Sequence, residues 1–252
     1  MLEIRSVSKR FGGMTAVDGV SASISRGEIV GLIGPNGAGK TTLFNLIAGS
    51  LRPSRGEIML NGKPIQMAPP HARIGLGLGR TFQIPRPFSG MTLLENVLVA
   101  AQGQTGERIW PNWVSPRHVV QEERRNVEKA MSLLQFVTLG ELAGEPARVL
   151  SGGQRKLLEL ARILMADPQI ILLDEPAAGV NPSLLETIMG KLAEINSGGV
   201  TFLIIEHNMD LVSRLCRRVL VMAAGRLLCA GTPMEVACDP RVIEAYLGGA
   251  AA

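Results

Sequence analysis

The chain has 252 residues, enough for one large domain or two small ones, and a hydrophobic fraction of 46 % excludes a disordered chain. A formal charge of +4 arises from scattered Lys and Arg, and with 4 % aromatic residues the composition argues against a base-stacking nucleic-acid surface. The start "MLEIRSVSKRF" lacks the apolar core of a signal peptide and no apolar run approaches the ~20 residues that span a bilayer, so work at a membrane is expected to go through partners.

Residues 2–34 alternate apolar and polar side chains and are broken at Gly12-Gly13 and Arg26-Gly27, which predicts short antiparallel strands ending in the continuous apolar run "EIVGLIG" of a strand buried on both faces. "TTLFNLIAG" has helical spacing with Gly49 as terminator, and "GEIMLNGKPI" reads as a strand pair around Asn61-Gly62. Beyond "RTFQIPRPFSG" the spacing turns helical in "TLLENVLVAAQ", "VVQEERRNVEKAMSLLQFV" and "GGQRKLLELARILMA", with residues 103–118 as a connecting loop. A mainly helical portion is therefore predicted at about residues 86–163. "QIILLDEP" and "VTFLIIEH", separated by the helical "PSLLETIMGKLAEI", predict parallel strands with a crossover helix. The end suggests a hairpin around Ala224-Gly225 and then short helices. Cys216, Cys229 and Cys238 show no C-x-x-C spacing, which favours reduced structural thiols over a disulfide frame or zinc site.

Gly34-Pro35-Asn36-Gly37-Ala38-Gly39-Lys40-Thr41 fits G-x-x-x-x-G-K-[ST] between a buried strand and a helix. Glycines let backbone N–H groups converge on phosphate oxygens, the helix N-terminus adds positive potential, Lys40 reaches the β/γ-phosphates and Thr41 offers a hydroxyl to Mg²⁺. Asp174 and Glu175 end a buried strand, at the edge where a parallel sheet presents its ligand site. Asp174 would sit near Mg²⁺ and Glu175 could polarise an attacking water; the same pair would also serve as an acidic helix cap. His207 ends "FLIIEH" in the same manner, whereas a lone histidine, as for His71 and His118 in loop-like surroundings, is commonly a surface or capping residue. Gln83 could orient water or meet Mg²⁺, or be an ordinary loop glutamine. "LSGGQRK" places Ser151, Gly152, Gly153 and Gln154 at the head of a helix as a second glycine loop without an internal lysine; alone it reads equally well as an N-cap.

The ordered set "GPNGAGKTT", "TFQ", "LSGGQ", "ILLDEP" and "IIEH" resembles the ATP-binding subunit of an ABC transporter over essentially the whole chain. The resemblance implies a single ABC-type ATP-binding domain over 1–252 with an α/β fold: a P-loop ATPase core with a mainly parallel sheet, an antiparallel β subdomain and an inserted α-helical subdomain. Its ligands would be ATP and Mg²⁺. Phe11 in "KRFGG" matches the adenine-stacking aromatic, usually tyrosine, with a core phenylalanine as the alternative. Gly34, Pro35, Asn36, Gly37, Ala38, Gly39, Lys40, Thr41, Thr42 and Gln83 match phosphate and Mg²⁺ positions, Asp174 the Walker-B acid, Glu175 the catalytic base and His207 the switch histidine. Ser151, Gly152, Gly153 and Gln154 match the loop that faces the γ-phosphate of the opposite subunit. Asn181 stands where aspartate is commonest, which removes a charge.

"RTFQIPRPFSGMTLLENVLVA", "DEPAAGVNP" and "IIEHNMDLV" are similar to branched-chain amino acid importer subunits; urea or amide importers and lipopolysaccharide exporters share "DEP-x-A-G" segments. The implied partners are a second ATP-binding subunit, like or unlike, membrane permeases and, indirectly, a periplasmic or extracellular substrate-binding protein, with no nucleic acid. The implied place is the cytoplasmic face of the membrane. A soluble DNA-repair or ribosomal ABC ATPase is opposed by the lack of sustained heptads and of a second ATPase domain. Ile84 and Phe88 in "IPRPF" are either the lip of a permease groove or core residues, and Trp110 and Trp113 pack in the insert or against a partner.

Overall fold

The alternating first segment folds into β1 (Leu2–Phe11) and β2 (Met14–Ile24), an antiparallel pair turned at Gly12, whose φ of 57° lies in the left-handed region that favours glycine. The computed structural model describes residues 1–81, 85–105 and 116–248. β4 (Arg55–Leu60) pairs with β1, and Asn61 and Gly62, both at positive φ, turn it into β5 (Lys63–Pro64), giving a sheet of order β2-β1-β4-β5.

β3 (Ile29–Ile33), β7 (Ile170–Asp174) and β8 (Thr201–Ile205) are buried along their whole length, as parallel strands covered on both faces must be. With β6 (Leu78–Arg80), β9 (Arg218–Ala223) and β10 (Arg226–Gly231) they form the second sheet, β10-β9-β3-β8-β7-β6. It is parallel except for the β9-β10 hairpin at Ala224-Gly225. Leu43, Phe44 and Ile47 of α1 (Lys40–Ala48) share one core with Val30 and Leu32 of β3, Ile170 and Leu172 of β7, and Leu2, Ile4 and Ile58 of the antiparallel sheet. On the other face Gly31 faces α7 (Met209–Leu215), where an added Cβ would lie 3.2 Å from Cys216 Sγ and 3.5 Å from Val212 Cγ1. This is the α/β architecture expected from the sequence, and it aligns the C-terminal ends of β3, β7 and β8 along one edge.

The chain divides into two compact units, Met1–Gln83 with Gln169–Ala178 and Met189–Ala252, and Ile84–Pro168 with Gly179–Ile188. In the second, α3 (Leu93–Leu98), α4 (Pro116–Phe136) and α5 (Gly152–Leu164) pack through buried Leu93, Val97, Ala130, Leu134, Leu157 and Ala161. α6 (Pro182–Ser197), α8 (Pro233–Ala237) and α9 (Pro240–Gly248) complete the described helices. Among the described residues no helix is long and apolar enough to cross a membrane.

Two expectations need correction. α3 stops at Leu98, because the N–H groups of Ala100 and Ala101 turn back to Val97 and Leu98 in a tightened last turn. His71 and His118 lie on helices, α2 (Pro70–Gly75) and α4, each begun by a proline whose missing N–H costs nothing there.

α2 also carries Arg73, which is 1 % exposed. Its guanidinium donates to the carbonyls of Leu46 (2.8 Å), Ile47 and Ala68 (2.9 Å), so it closes the C-terminal end of α1. Arg73→Met would keep the bulk and take the arginine donors from Ile47 and Ala68, and one of two donors from Leu46, whose carbonyl also accepts from Gly49 N–H. It is expected to lower stability by about 2–4 kcal/mol, read as a fall in the urea midpoint.

Candidate active site at the sheet edge

The chain leaves β3 through Gly34 (φ 147°), where an added Cβ would sit 2.1 Å from the carbonyl of Met222. It enters α1 through Gly39 (φ 94°), where a Cβ would lie 2.4 Å from the carbonyl of Ala16. Only glycine fits either place, so the loop is bent tightly against β2 and β9. Gly39 caps α1 without a side chain, which leaves the first-turn N–H groups facing the loop. Lys40 Nζ donates to the carbonyls of Gly34 (2.6 Å) and Pro35 (2.9 Å). Burial pulls its ammonium below the ordinary lysine range, and the Glu175 carboxylate opposes that shift. The β9-β10 turn buttresses the loop: Gly225 N–H donates to Ala38 O (3.1 Å) and Asp18 N–H to Gly225 O (2.8 Å).

Around the loop lies a cavity of about 590 Å³, lined by Met14, Thr15 and Ala16 of β2, Asn36 to Thr42, Glu175, His207 and the Ala224-Gly225 turn. Its size suits a nucleotide-sized ligand. Phe11 is 44 % exposed, so it is not a core residue. It is not among the lining residues; its cross-strand partner Met14 is, and Lys9 Nζ stands 5.2 Å from the Phe11 ring centre.

At the end of β7, Asp174 is 8 % exposed and its Oδ2 lies 3.6 Å from Arg80 Nη2. Burial pushes its pKa above the usual carboxylate range; Arg80 opposes this and Glu175 adds to it. Glu175 follows at φ 50°, a left-handed conformation that costs a non-glycine residue about 1–3 kcal/mol. It is held there by its own N–H donating to Ile205 O (3.0 Å) and by Ala178 N–H donating to Glu175 O (3.1 Å). The result is that Glu175 Oε1 and His207 Nε2 stand 3.4 Å apart. Neither residue is a helix cap: Asn208 caps α7, its Oδ1 accepting from Asp210 and Leu211 N–H, and α6 begins only at Pro182.

Ser151, Gly152, Gly153 and Gln154 belong to the second unit. Ser151 caps α5, its Oγ accepting from Gln154 N–H (3.3 Å) while Ser151 N–H donates to Gln154 Oε1 (3.0 Å). Gly153 is buried against α6, where a Cβ would meet Leu184 Cδ2 at 2.1 Å. Asn181 Oδ1 accepts from Leu184 N–H (2.9 Å) and the Ser183 hydroxyl (3.1 Å), a capping task that needs no charge. Phe88 is 48 % exposed, beneath the Arg162 guanidinium, so it is not core; fully buried Asn96 holds its loop by bonds to Phe88 N–H and to the carbonyls of Phe88 and Thr92. Gln83, Ile84, Trp110 and Trp113 lie outside the described residues.

Sequence reasoning missed the Met14–Ala16 and Ala224-Gly225 walls, which carry no reactive group, and Arg80. It also missed Glu206, although a carboxylate directly after the apolar run "FLII" was a visible signal.

The chain matches the family model described as ABC transporter over residues 17–178, and one described as branched-chain amino acid ATP-binding cassette transporter over residues 226–252. It is 43 % identical to the probable branched-chain amino acid transport ATP-binding protein LivG of Archaeoglobus fulgidus, covering 98 % of this chain and 95 % of that protein. It is 40 % identical to the high-affinity branched-chain amino acid transport ATP-binding protein BraF of Pseudomonas aeruginosa, over 99 % and 98 %. An ATP-binding cassette of an ABC transporter solved in its ADP conformation superposes with a TM-score of 0.84 at 39 % identity, covering 98 % of both chains. A bacterial ABC transporter cassette solved as a dimer superposes at 0.76 with 25 % identity, covering 92 % of this chain and 99 % of that one. With a family model spanning more than half its length and relatives this similar along the whole chain, the protein belongs to the ABC transporter family of ATP-binding proteins.

Proposed function

We propose that the chain is the ATP-hydrolysing subunit of a branched-chain amino acid importer, working at the cytoplasmic face of a membrane through permease subunits. The observation that carries the ATPase reading is the single cavity that joins Asn36–Thr42 to Glu175 and His207. The cargo reading is supported by the names of the relatives and by the match at residues 226–252.

In this reading the N–H groups of the loop and α1, with Lys40, bind the β- and γ-phosphates. Glu175 accepts a proton from water as its oxygen attacks the γ-phosphorus and the bond to ADP breaks; His207, facing Glu175, steadies the attacking water or the departing phosphoryl oxygens. Positioning and charge stabilisation by a rigid sheet edge supply most of the acceleration. The hydroxyl of Thr41 and the carboxylate of Asp174 are hard oxygen donors suited to Mg²⁺, with Gln83 as the third proposed ligand. Held by these residues, Mg²⁺ would neutralise the negative charge that the phosphoryl transfer develops. Phe11, beside Met14, takes the adenine face.

The domain reading is one ABC-type unit with a helical insert at about residues 86–163. Ser151 to Gln154 complete the site of a second ATP-binding subunit, and hydrolysis releases the contacts that keep the pair closed. Exposed Phe88, on its clamped loop, suits the permease-facing lip. A binding protein outside the membrane delivers cargo indirectly.

Ser151→Ala is expected to leave ATP affinity of the isolated subunit unchanged, to cost about 1 kcal/mol through the lost cap, and to cut dimer-dependent hydrolysis roughly tenfold or more. Paired isothermal titration and phosphate-release assays check this. The cargo is tested by reconstituting the chain with its permeases and binding protein in vesicles: ATP-driven leucine uptake supports the importer reading, and uptake of urea or amides instead of leucine overturns it.

A further inference from the structure

Glu206 is 3 % exposed, yet its carboxylate sits at the end of β8, where the chain turns into the site. Its Oε1 accepts from Ala177 N–H at 2.7 Å, and its Oε2 accepts from His207 N–H at 2.9 Å and Asn208 N–H at 3.0 Å. Three main-chain donors from two turns thus converge on one side chain. One turn carries Glu175 in its left-handed conformation, and the other carries His207. A cavity of about 200 Å³ lined by Glu175, Ala177, Ala178, Glu206, His207 and Asn208 lies between these turns, so close packing does not fix their spacing.

We propose that Glu206 is a positioning residue for hydrolysis: its buried carboxylate ties the turn after β7 to the turn after β8 and so sets the 3.4 Å approach of Glu175 Oε1 to His207 Nε2. The Glu175 N–H bond to Ile205 O also ties the two strand ends, and it fixes the Glu175 turn but not His207. A carboxylate suits the task because its oxygens only accept. Glutamine in the same place would turn an N–H₂ group toward at least one of the three N–H donors, and the turn that lost its acceptor would drift. Near-attack geometry is sensitive to displacements of about 1 Å, which are enough to change rates about a hundredfold. Glu206 touches neither the loop nor the cavity that holds it, so nucleotide affinity is left out of its reach.

The inference rests on the reading of Glu175 and His207 as hydrolytic residues, and the test separates the two. Phosphate release, ATP affinity and the ring resonances of the three histidines are measured for the full chain as wild type, Glu206→Gln, His207→Ala and the double variant. His207 is assigned by its loss in His207→Ala. The expected result is that Glu206→Gln lowers kcat at least about tenfold, changes the ATP KM less than about twofold, and loses most of its effect in the His207→Ala background. Its His207 resonance should shift or broaden while those of His71 and His118 stay in place. A loss that multiplies in full onto His207→Ala, a KM that rises in step with the fall in kcat, or an unmoved His207 resonance would overturn the proposal. Glu206→Asp keeps acceptor-only chemistry but withdraws it by one methylene, and serves as the second variant under the same criteria where Glu206→Gln does not fold. Wild-type hydrolysis by His207→Ala would remove that residue from the mechanism, while the resonance would still show whether Glu206 fixes the imidazole.

Discussion

Glu175→Gln is expected to lower steady-state phosphate release by about two to four orders of magnitude while ATP affinity stays within roughly a factor of two. The amide has the same shape and takes the same left-handed backbone position, so the turn from Asp174 to Ala178 is kept, while the proton acceptor and the negative charge felt by Lys40 are lost. Asp174 cannot replace it. That carboxylate is buried, faces Arg80 and is a proposed Mg²⁺ ligand, so it is already committed. Affinity is spared because the proposed phosphate contacts come from the loop and Lys40. Phosphate release and equilibrium dialysis on the same preparations check both halves; full hydrolysis by Glu175→Gln would remove it as the base.

Lys40→Ala acts on the other half of the balance. It is expected to weaken ATP binding by about 1.5–3 kcal/mol, roughly 10- to 150-fold, because it deletes the charged donor proposed to meet the phosphates. The ammonium bonds to the Gly34 and Pro35 carbonyls, so it also braces the loop proposed to bind the phosphates. Hydrolysis should fall with binding and recover little at saturating ATP. Titration calorimetry checks the affinity, and a value unchanged from the wild type would contradict the role of the phosphate loop. The two variants therefore fail in different ways, one loaded and idle, the other unloaded.

The parts of the fold that were legible are those fixed by local chemistry. β3, β7 and β8 show as unbroken apolar runs, and Gly34, Gly37 and Gly39 before Lys40 announce a backbone that must take positive φ. The turns at Asn61-Gly62 and Ala224-Gly225 were equally plain. β6 was not, since three residues containing Gly79 have no β signature and become a strand only by pairing with β7. Arg73 gave no hint of its place, because the carbonyls it satisfies belong to α1 and to the segment before α2, and only the folded chain brings them around it. In the site, Lys40, Glu175 and His207 were legible because each directly follows a strand or loop with a recognisable pattern. The Met14–Ala16 and Ala224-Gly225 walls were silent, as they contribute surface and backbone rather than reactive groups. Ser151 could be read either as a cap or as part of a neighbour's site. The structure shows the cap, and the second role stands on the proposed pairing of subunits.

That pairing is the central claim, and the mass of Glu175→Gln in solution tests it most directly, by light scattering with and without ATP, alone and mixed with a homologous ATP-binding subunit. The expected result is a two-subunit particle, of two copies or of one copy with its homologue, that forms only with ATP and is lost when Lys40→Ala is added to the variant. A single chain that carries ATP under all these conditions, while the wild-type protein hydrolyses ATP at its full rate, would contradict it.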